Sequence, residues 1–232
     1  SGLEGRQFGV ASSVSLSAEN GLAEPSISMF ARNASVDDAG VWAAISPSSE
    51  LRYSDLVAIN RGAETPSVVL NSVAAESLEV GQGDALEVGA FVTRDGERVR
   101  TTTDVTVVAV VANEGQGAMA GTRSPAVFTD LLTAQSILGM DGELNQVSLA
   151  FDDALDESEL RRLAQRVEEV MNDVMTAEDA GTVWTVDEGT SSLTISSTLD
   201  LQRVSGEDVA ALRENRSTLY PSASLLEVLQ VP

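Results

Sequence analysis

Residues 67–84 read SVVLNSVAAESLEVGQGD and carry the clearest structural signal in the chain. The apolar run VVL near the start predicts a short buried strand. Asn71 is a favoured residue at the start of a helix, and the apolar spacing over 72–78 predicts a short amphipathic helix. Gly83 and Asp84 then turn the chain toward the next strand.

A β-hairpin follows this segment. Asp95-Gly96 lies between two β-prone runs and is a strong signal for a tight hairpin turn. The β-branched run at 105–111 predicts a central strand. We therefore expect a β-rich inset over residues 85–111.

Strands and helices alternate beyond the inset. The patterns predict a strand at 126–129, a capped helix at 130–138, a strand at 145–151, a long amphipathic helix at 156–175 and a strand at 183–186. This alternation predicts an α/β or α+β fold of layered strand and helix lobes. The best-supported core of that fold is 67–190.

The two ends of the chain have weaker patterns. Strands are expected at 8–16 and 27–31, and Trp42 and Ile45 are expected to anchor the core. The segment 191–232 has no clear assignment, although short helices are expected at 207–215 and 222–229. We expect residues 1–232 to form a single domain with two lobes.

The composition excludes several classes of enzyme. The chain has no His, Cys or Lys, and its 14 basic residues are all Arg. Ser-His-Asp triads, thiol nucleophiles, Schiff-base lysines and P-loops are therefore excluded, and so are zinc and copper sites that rely on His or Cys. Carboxylate chemistry, metal sites built from oxygen ligands and the absence of any chemistry remain open, and among these we predict no catalytic residue, no metal site and no cofactor.

The charge restricts the partners of the protein. There are 36 Asp and Glu residues, and the net charge is −22. Such a surface repels nucleic acid and anionic lipid. Because the acids are scattered along the whole chain, and because molar salt screens their repulsion, we predict a protein of a halophilic archaeon.

Three candidate sites have competing interpretations. The acidic run 152–159 lacks the pattern of a calcium loop, and its position at a helix start favours a structural role. Gly115, Gly117 and Gly121 have the wrong spacing for a dinucleotide loop and favour a mobile loop that could contact a partner. Paired carboxylates could serve a hydrolase. With 36 Asp and Glu residues in the chain, however, closeness in the sequence does not show which carboxylates would form a catalytic pair.

Several short motifs follow one another in a recognisable order. They are the strand and helix start 68–71, the helix 74–80, Gly83-Asp84 before a strand, the strand 105–111, the strand 126–128, a helix with Gln135 and Leu138-Gly139, and the strand start Asn145-Gln146-Val147-Ser148-Leu149. Over 67–170 this order resembles the extracytoplasmic domain of MacB/FtsX-type ABC-transporter permeases, whose periplasmic core fold the chain is then expected to share.

The resemblance implies a function that involves no catalysis by this domain. It implies a membrane-embedded protein whose outer domain lies at the extracytoplasmic face, works with a cytoplasmic ATPase subunit and engages an unknown protein or substrate; a homodimer is compatible with it. Asn71, Gly83, Asp84, Gln135 and Asn145 are then structural motif residues, with Asn71 as a helix cap and Gly83 in a turn with positive φ. The alternatives are a secreted or surface-attached halophilic binding module and a carboxylate-dependent hydrolase.

Overall fold

The computed structural model describes residues 3–33, 41–47, 50–94, 97–121, 123–151, 158–159, 161–166, 182–188 and 192–199. In chain order its strands and α-helices are β1 Leu3–Ala18, β2 Ala23–Arg32, β3 Val41–Ser46, β4 Glu50–Arg52, α1 Tyr53–Asn60, β5 Ser67–Asn71, α2 Ser72–Leu78, β6 Ala85–Arg94, β7 Glu97–Val111, β8 Ala126–Asp130, α3 Leu131–Leu138, β9 Gln146–Phe151, β10 Thr182–Glu188 and β11 Ser192–Leu199. The prediction of a mixed α and β fold is confirmed.

The chain divides into two compact units. The larger is Gly9–Gly142, and the other contains Ser1–Phe8 and Glu143–Pro232. The boundary therefore falls after Gly142, inside the range 67–190. No helix in the described part of the chain is long and apolar enough to cross a membrane.

Six strands of the larger unit close into a ring. The sequence of neighbours is β1, β2, β8, β5, β7, β6 and β1 again. The β2–β8 and β5–β7 pairs are parallel, and the other four pairs are antiparallel. We predicted layers of strands and helices, but the strands form a barrel-like closure, and β6 and β7 of the expected inset belong to the ring itself. Closure depends on pairing β1 with β6, which lie about seventy residues apart, and no local pattern reveals such a contact.

The ring contains one pattern twice. Each repeat has an antiparallel hairpin, a connection, a five-residue strand and a short helix: β1, β2, β5 and α2 in the first, and β6, β7, β8 and α3 in the second. The five-residue strands are buried along their whole length and pair with each other. Each of them also runs parallel to the second hairpin strand of the other repeat.

An aromatic cluster fills part of the core. The ring centroid of Trp42 lies 4.3 Å from that of Tyr53 and 5.6 Å from that of Phe128, and all three side chains are buried. Such pairs add about 1 kcal/mol each beyond the area that they bury. The prediction for Trp42 is confirmed, whereas the one for Ile45 is wrong, because Ile45 is 54% exposed. Ile45 lies where the β3–β7 register shifts, between Ala44 and Ser46, so the regular alternation of a strand does not direct it to the core.

Among its described residues, the second unit contains the first residues of β1, the strands β9, β10 and β11, and part of a helix. Its strands β9, β11 and β10 pair antiparallel in that order. Residues 158–159 and 161–166 are helical, as expected for part of 156–175. The remaining residues of that predicted helix and the predicted helices at 207–215 and 222–229 lie outside the described residues.

Candidate functional site

Asn71 is the centre of a polar cluster in the larger unit. Its side chain is fully buried at the end of β5. The amide oxygen accepts from the backbone N–H groups of Ala74 and Ala126, both at 3.0 Å. The amide nitrogen donates to the carbonyl oxygens of Ser124 at 2.9 Å and Gly117 at 3.2 Å. One side chain thus joins β5, α2, β8 and the connection before β8.

The glycine-rich connection is folded tightly against this cluster. Gly115–Ala118 forms a 3-10 helix, and the following element is the strand β8, so the dinucleotide interpretation has no helix to support it. The Asn71 amide also donates to the side-chain oxygen of Asn113 at 3.1 Å. A Cβ at Gly117 would lie 2.1 Å from the carbonyl oxygen of Ala112, so only glycine fits there.

Gly83 and Asp84 fasten a turn to β7. The N–H of Gly83, whose φ is +94°, donates to the carbonyl of Val107 at 2.8 Å. The N–H of Val107 donates in return to the carbonyl of Asp84 at 2.9 Å, and the Asp84 carboxylate accepts from the N–H of Gly81 at 2.8 Å. The positive φ of Gly83 agrees with the turn predicted for it.

Asp130 is the counterpart of Asn71 in the second repeat. Its carboxylate accepts from the backbone N–H of Thr133 at 3.1 Å and from the hydroxyl of Thr133 at 2.6 Å. It also accepts from the side-chain amide of Asn60 at 2.6 Å, and Asn60 holds the backbone of Ser67 through two further bonds. The sequence indicated that Asp130 caps a helix, but it gave no sign that Asn60 joins this network.

The other two motif residues lie apart from these clusters. Gln135 is buried on α3, and its carbonyl oxygen accepts from the N–H of Met140 at 2.8 Å, which closes the C-terminal end of the helix. Asn145 precedes β9 in the second unit and is half-buried. The five motif residues therefore do not form one site; Asn71, Gly83 and Asp84 each hold backbone through the hydrogen bonds described above.

The outer face of the β6–β7 hairpin is the most conspicuous exposed surface. Phe91 is 59% exposed, and the Arg98 guanidinium lies 4.5 Å from its ring centroid in a cation–π contact. Arg100, opposite Phe91 in the register, lies over the backbone of Gly89 and reaches the Ser15 hydroxyl at 3.5 Å. Sequence reasoning missed this face, although the spacing of two arginines around Val99 was a visible signal.

Carboxylates do not gather into a reactive cluster in the part of the chain that the structure describes. No group of three Asp or Glu residues there could hold a metal ion. Glu87 and Asp104 face each other across β6 and β7, but Glu87 is only half-buried and Asp104 is exposed, whereas a catalytic acid of this type is usually buried. Most of the acidic run 152–159 lies outside the described residues.

Comparison with known families and with curated proteins identifies no relative of this chain. The sequence matches no protein-family model. It also matches no curated protein at a significant level.

Proposed function

We propose that this chain is a non-catalytic extracytoplasmic domain of a MacB/FtsX-type ABC-transporter permease. In this proposal the domain shares the MacB-type core fold and engages a protein or substrate outside the membrane. The full-length protein is membrane-anchored, and it couples ATP hydrolysis by a cytoplasmic subunit to export, to lipid or lipoprotein handling, or to envelope control. Its acidic surface adapts it to high salt.

The hydrogen bonding of Asn71 is the observation that supports this proposal most. The amide is fully buried, and its bonds go to Ala74, Ala126, Gly117, Ser124 and Asn113. A catalytic amide needs a donor or acceptor directed at a substrate. Here the side chain instead joins two strands, a helix and a loop of the larger unit, which is a structural role and is consistent with a domain without catalysis.

Two exposed apolar side chains of the larger unit offer contacts for a partner. Leu132, in the first turn of α3, is 73% exposed, and Phe91 is 59% exposed. Large apolar side chains buried on binding contribute most of the affinity of protein interfaces. The exposed pair of Phe91 and Arg98 equally favours the second candidate, a secreted or surface-attached halophilic binding module.

The complete reading frame tests the two candidates against each other. Hydrophobic spans on both sides of the chain are expected for the permease domain. A signal peptide with a stalk would favour the binding module instead. A reading frame with neither span would rule out the permease.

A functional test uses the complete permease reconstituted with its ATPase. We expect Leu132→Asp to reduce coupled transport without changing the unfolding midpoint, because α3 exposes this side chain. Leu22→Asp, at a 37% exposed leucine in the β1–β2 turn, is the matched control. If both variants and the wild type have the same rate of transport, Leu132 is not part of the proposed contact surface.

A further inference from the structure

The outer end of the β6–β7 hairpin extends past its neighbours in the ring. β6 pairs with β1 only over Leu86–Gly89. β7 pairs with β5 only from Thr106 onward, whereas its pairing with β6 continues to Glu97. In the part of the chain that the structure describes, residues 97–105 of β7 therefore have a strand neighbour on one side only.

Hydrogen bonds at the base of the hairpin show which backbone groups face the open side. Val107 exchanges bonds with Gly83 and Asp84 on the β6 side, whereas the N–H of Thr106 donates to Pro66 on the β5 side. N–H and C=O groups alternate sides along a strand, and the β6–β7 register is continuous from Ala85 to Arg94. The open side therefore presents the backbone groups of Arg98, Arg100, Thr102 and Asp104.

The side chains of these four residues share one face and are exposed. Arg98, which stacks on Phe91 of β6, and Arg100, which reaches Ser15 of β1, carry positive charge at one end of the row, and Asp104 carries negative charge at the other. An antiparallel copy of the same row reverses this order. Pairing around Thr101 places Arg98 opposite the partner's Asp104, and Arg100 opposite the partner's Thr102. Both ends of the row then have opposite charges facing each other, which stabilises cross-strand pairs.

We propose that two copies of this chain associate through antiparallel pairing of the open β7 edges, centred on Thr101. The interface is symmetric, so each residue of one edge meets its complement on the other. Unpaired strand edges associate readily with another strand of matching length. This inference depends on the edge alone and is independent of the proposed permease function.

The charges also select one register. Pairing centred on Arg100 would place that residue opposite the partner's Arg100, and like charges facing each other are destabilising. Pairing centred on Thr102 would need the backbone of Thr106, whose N–H is already bonded to Pro66. Pairing centred on Thr101 uses all four open residues and opposes no like charges.

Cysteine cross-linking in the full chain tests the register, since the protein has no native Cys. In the proposed dimer the two Thr101 residues form a pair without hydrogen bonds, with a Cα separation of about 4.5 Å, which suits a disulfide. Thr101→Cys should therefore give a covalent dimer under mild oxidation. Thr103→Cys, on the same face, is the control, because its two copies would lie about 13 Å apart. Cross-linking of Thr103→Cys but not of Thr101→Cys would overturn the proposal.

Proline at Thr102 tests the hydrogen bonds of the edge. It removes an N–H that faces the open side and leaves the bonds to β6, so the fold is retained. Two N–H groups are lost per symmetric dimer, and the dissociation constant should rise about tenfold or more. Sedimentation equilibrium from about 1 µM to about 1 mM chain measures this constant. The solvent should contain about 1 M KCl, where a Debye length of about 3 Å suppresses repulsion between the acidic surfaces.

A charge exchange completes the test. The Asp104→Arg substitution alone places a positive charge opposite the partner's Arg98 at both ends of the interface. It should therefore weaken the dimer. Combining it with Arg98→Asp restores opposite charges and the original net charge of −22, and should restore association. A wild-type chain that stays monomeric at the highest concentration, or a double variant no tighter than Asp104→Arg, would contradict the proposal.

Discussion

Asn71 and Asp130 occupy equivalent positions in the two repeats of the barrel. Each ends a buried five-residue strand, and each side chain accepts from the backbone N–H three residues later, at 3.0 Å for Ala74 and 3.1 Å for Thr133. Their remaining neighbours differ. The Asn71 amide also donates to carbonyl oxygens of the connection before β8. The Asp130 carboxylate instead accepts two further bonds, from the Thr133 hydroxyl and the Asn60 amide. An amide therefore suits the first position and a carboxylate the second.

Because of this difference, we expect the exchange of Asn for Asp at position 71 and of Asp for Asn at position 130 to affect stability differently. Asn71→Asp keeps the acceptor for Ala74 but cannot donate to Gly117 and Ser124, so a buried negative charge would face two carbonyl oxygens. We expect the free energy of unfolding to fall by about 3 kcal/mol or more.

Urea denaturation measures this loss, with Asp130→Asn as the matched control. That variant keeps the cap acceptor for Thr133 but loses acceptance from the Asn60 amide, so the free energy of unfolding should fall by about 1–2 kcal/mol, less than for Asn71→Asp. A larger loss for Asp130→Asn than for Asn71→Asp would refute the assigned roles.

A methyl group at Gly117 should destabilise the protein because there is no room for it. The added Cβ would lie 2.1 Å from a backbone carbonyl oxygen, which has to move. Overpacking of this kind costs about 1–3 kcal/mol. Gly81→Ala is the control, since no atom lies within 4 Å of its added Cβ and its φ is not in the left-handed region. Thermal melts followed by circular dichroism would compare the two, and equal midpoints would contradict the packing argument.

Glu79 offers a stabilising substitution. It ends α2 in the left-handed conformation, with φ of 51°, where α3 has Gly139 with φ of 64°. Glu79→Gly removes the steric strain of a side chain at positive φ and should raise the free energy of unfolding by about 0.5–1 kcal/mol.

Glu76→Gly, inside the same helix, should instead lower the free energy of unfolding by about 1 kcal/mol. Urea denaturation of both variants tests whether position or residue type decides the effect. If Glu79→Gly lowers the free energy of unfolding, the Glu79 side chain makes a contact that stabilises the protein by more than the strain of its positive φ destabilises it.

Salt should stabilise the protein. With a net charge of −22, self-repulsion opposes the compact state in dilute buffer. Raising the salt from about 0.1 M to about 1 M shortens the Debye length from about 10 Å to about 3 Å. The unfolding midpoint should therefore rise with ionic strength, and equally for NaCl and KCl. A midpoint independent of salt would contradict the halophilic prediction.

Local patterns were sufficient for most of the individual elements. The run at 67–84 predicted β5, the cap Asn71 and α2 because propensity, capping and apolar spacing agree there. Asp95-Gly96 predicted the β6–β7 hairpin for the same reason. The failure at Ile45 arose because the segment 33–61 has no regular alternation, so nothing in it indicates which residues face the core.

The sequence by itself determined the short-range structure and the acidic surface, because caps, turns and net charge depend on neighbours within a few residues or on composition alone. The tertiary structure alone decided the ring, since β1 meets β6 and β2 meets β8 across about seventy to one hundred residues. It also decided that the Asn71 amide binds Ser124 and that one edge of β7 beyond Thr106 stays open. Such long-range pairs depend on how apolar faces are buried together, and that choice is made by the whole chain at once.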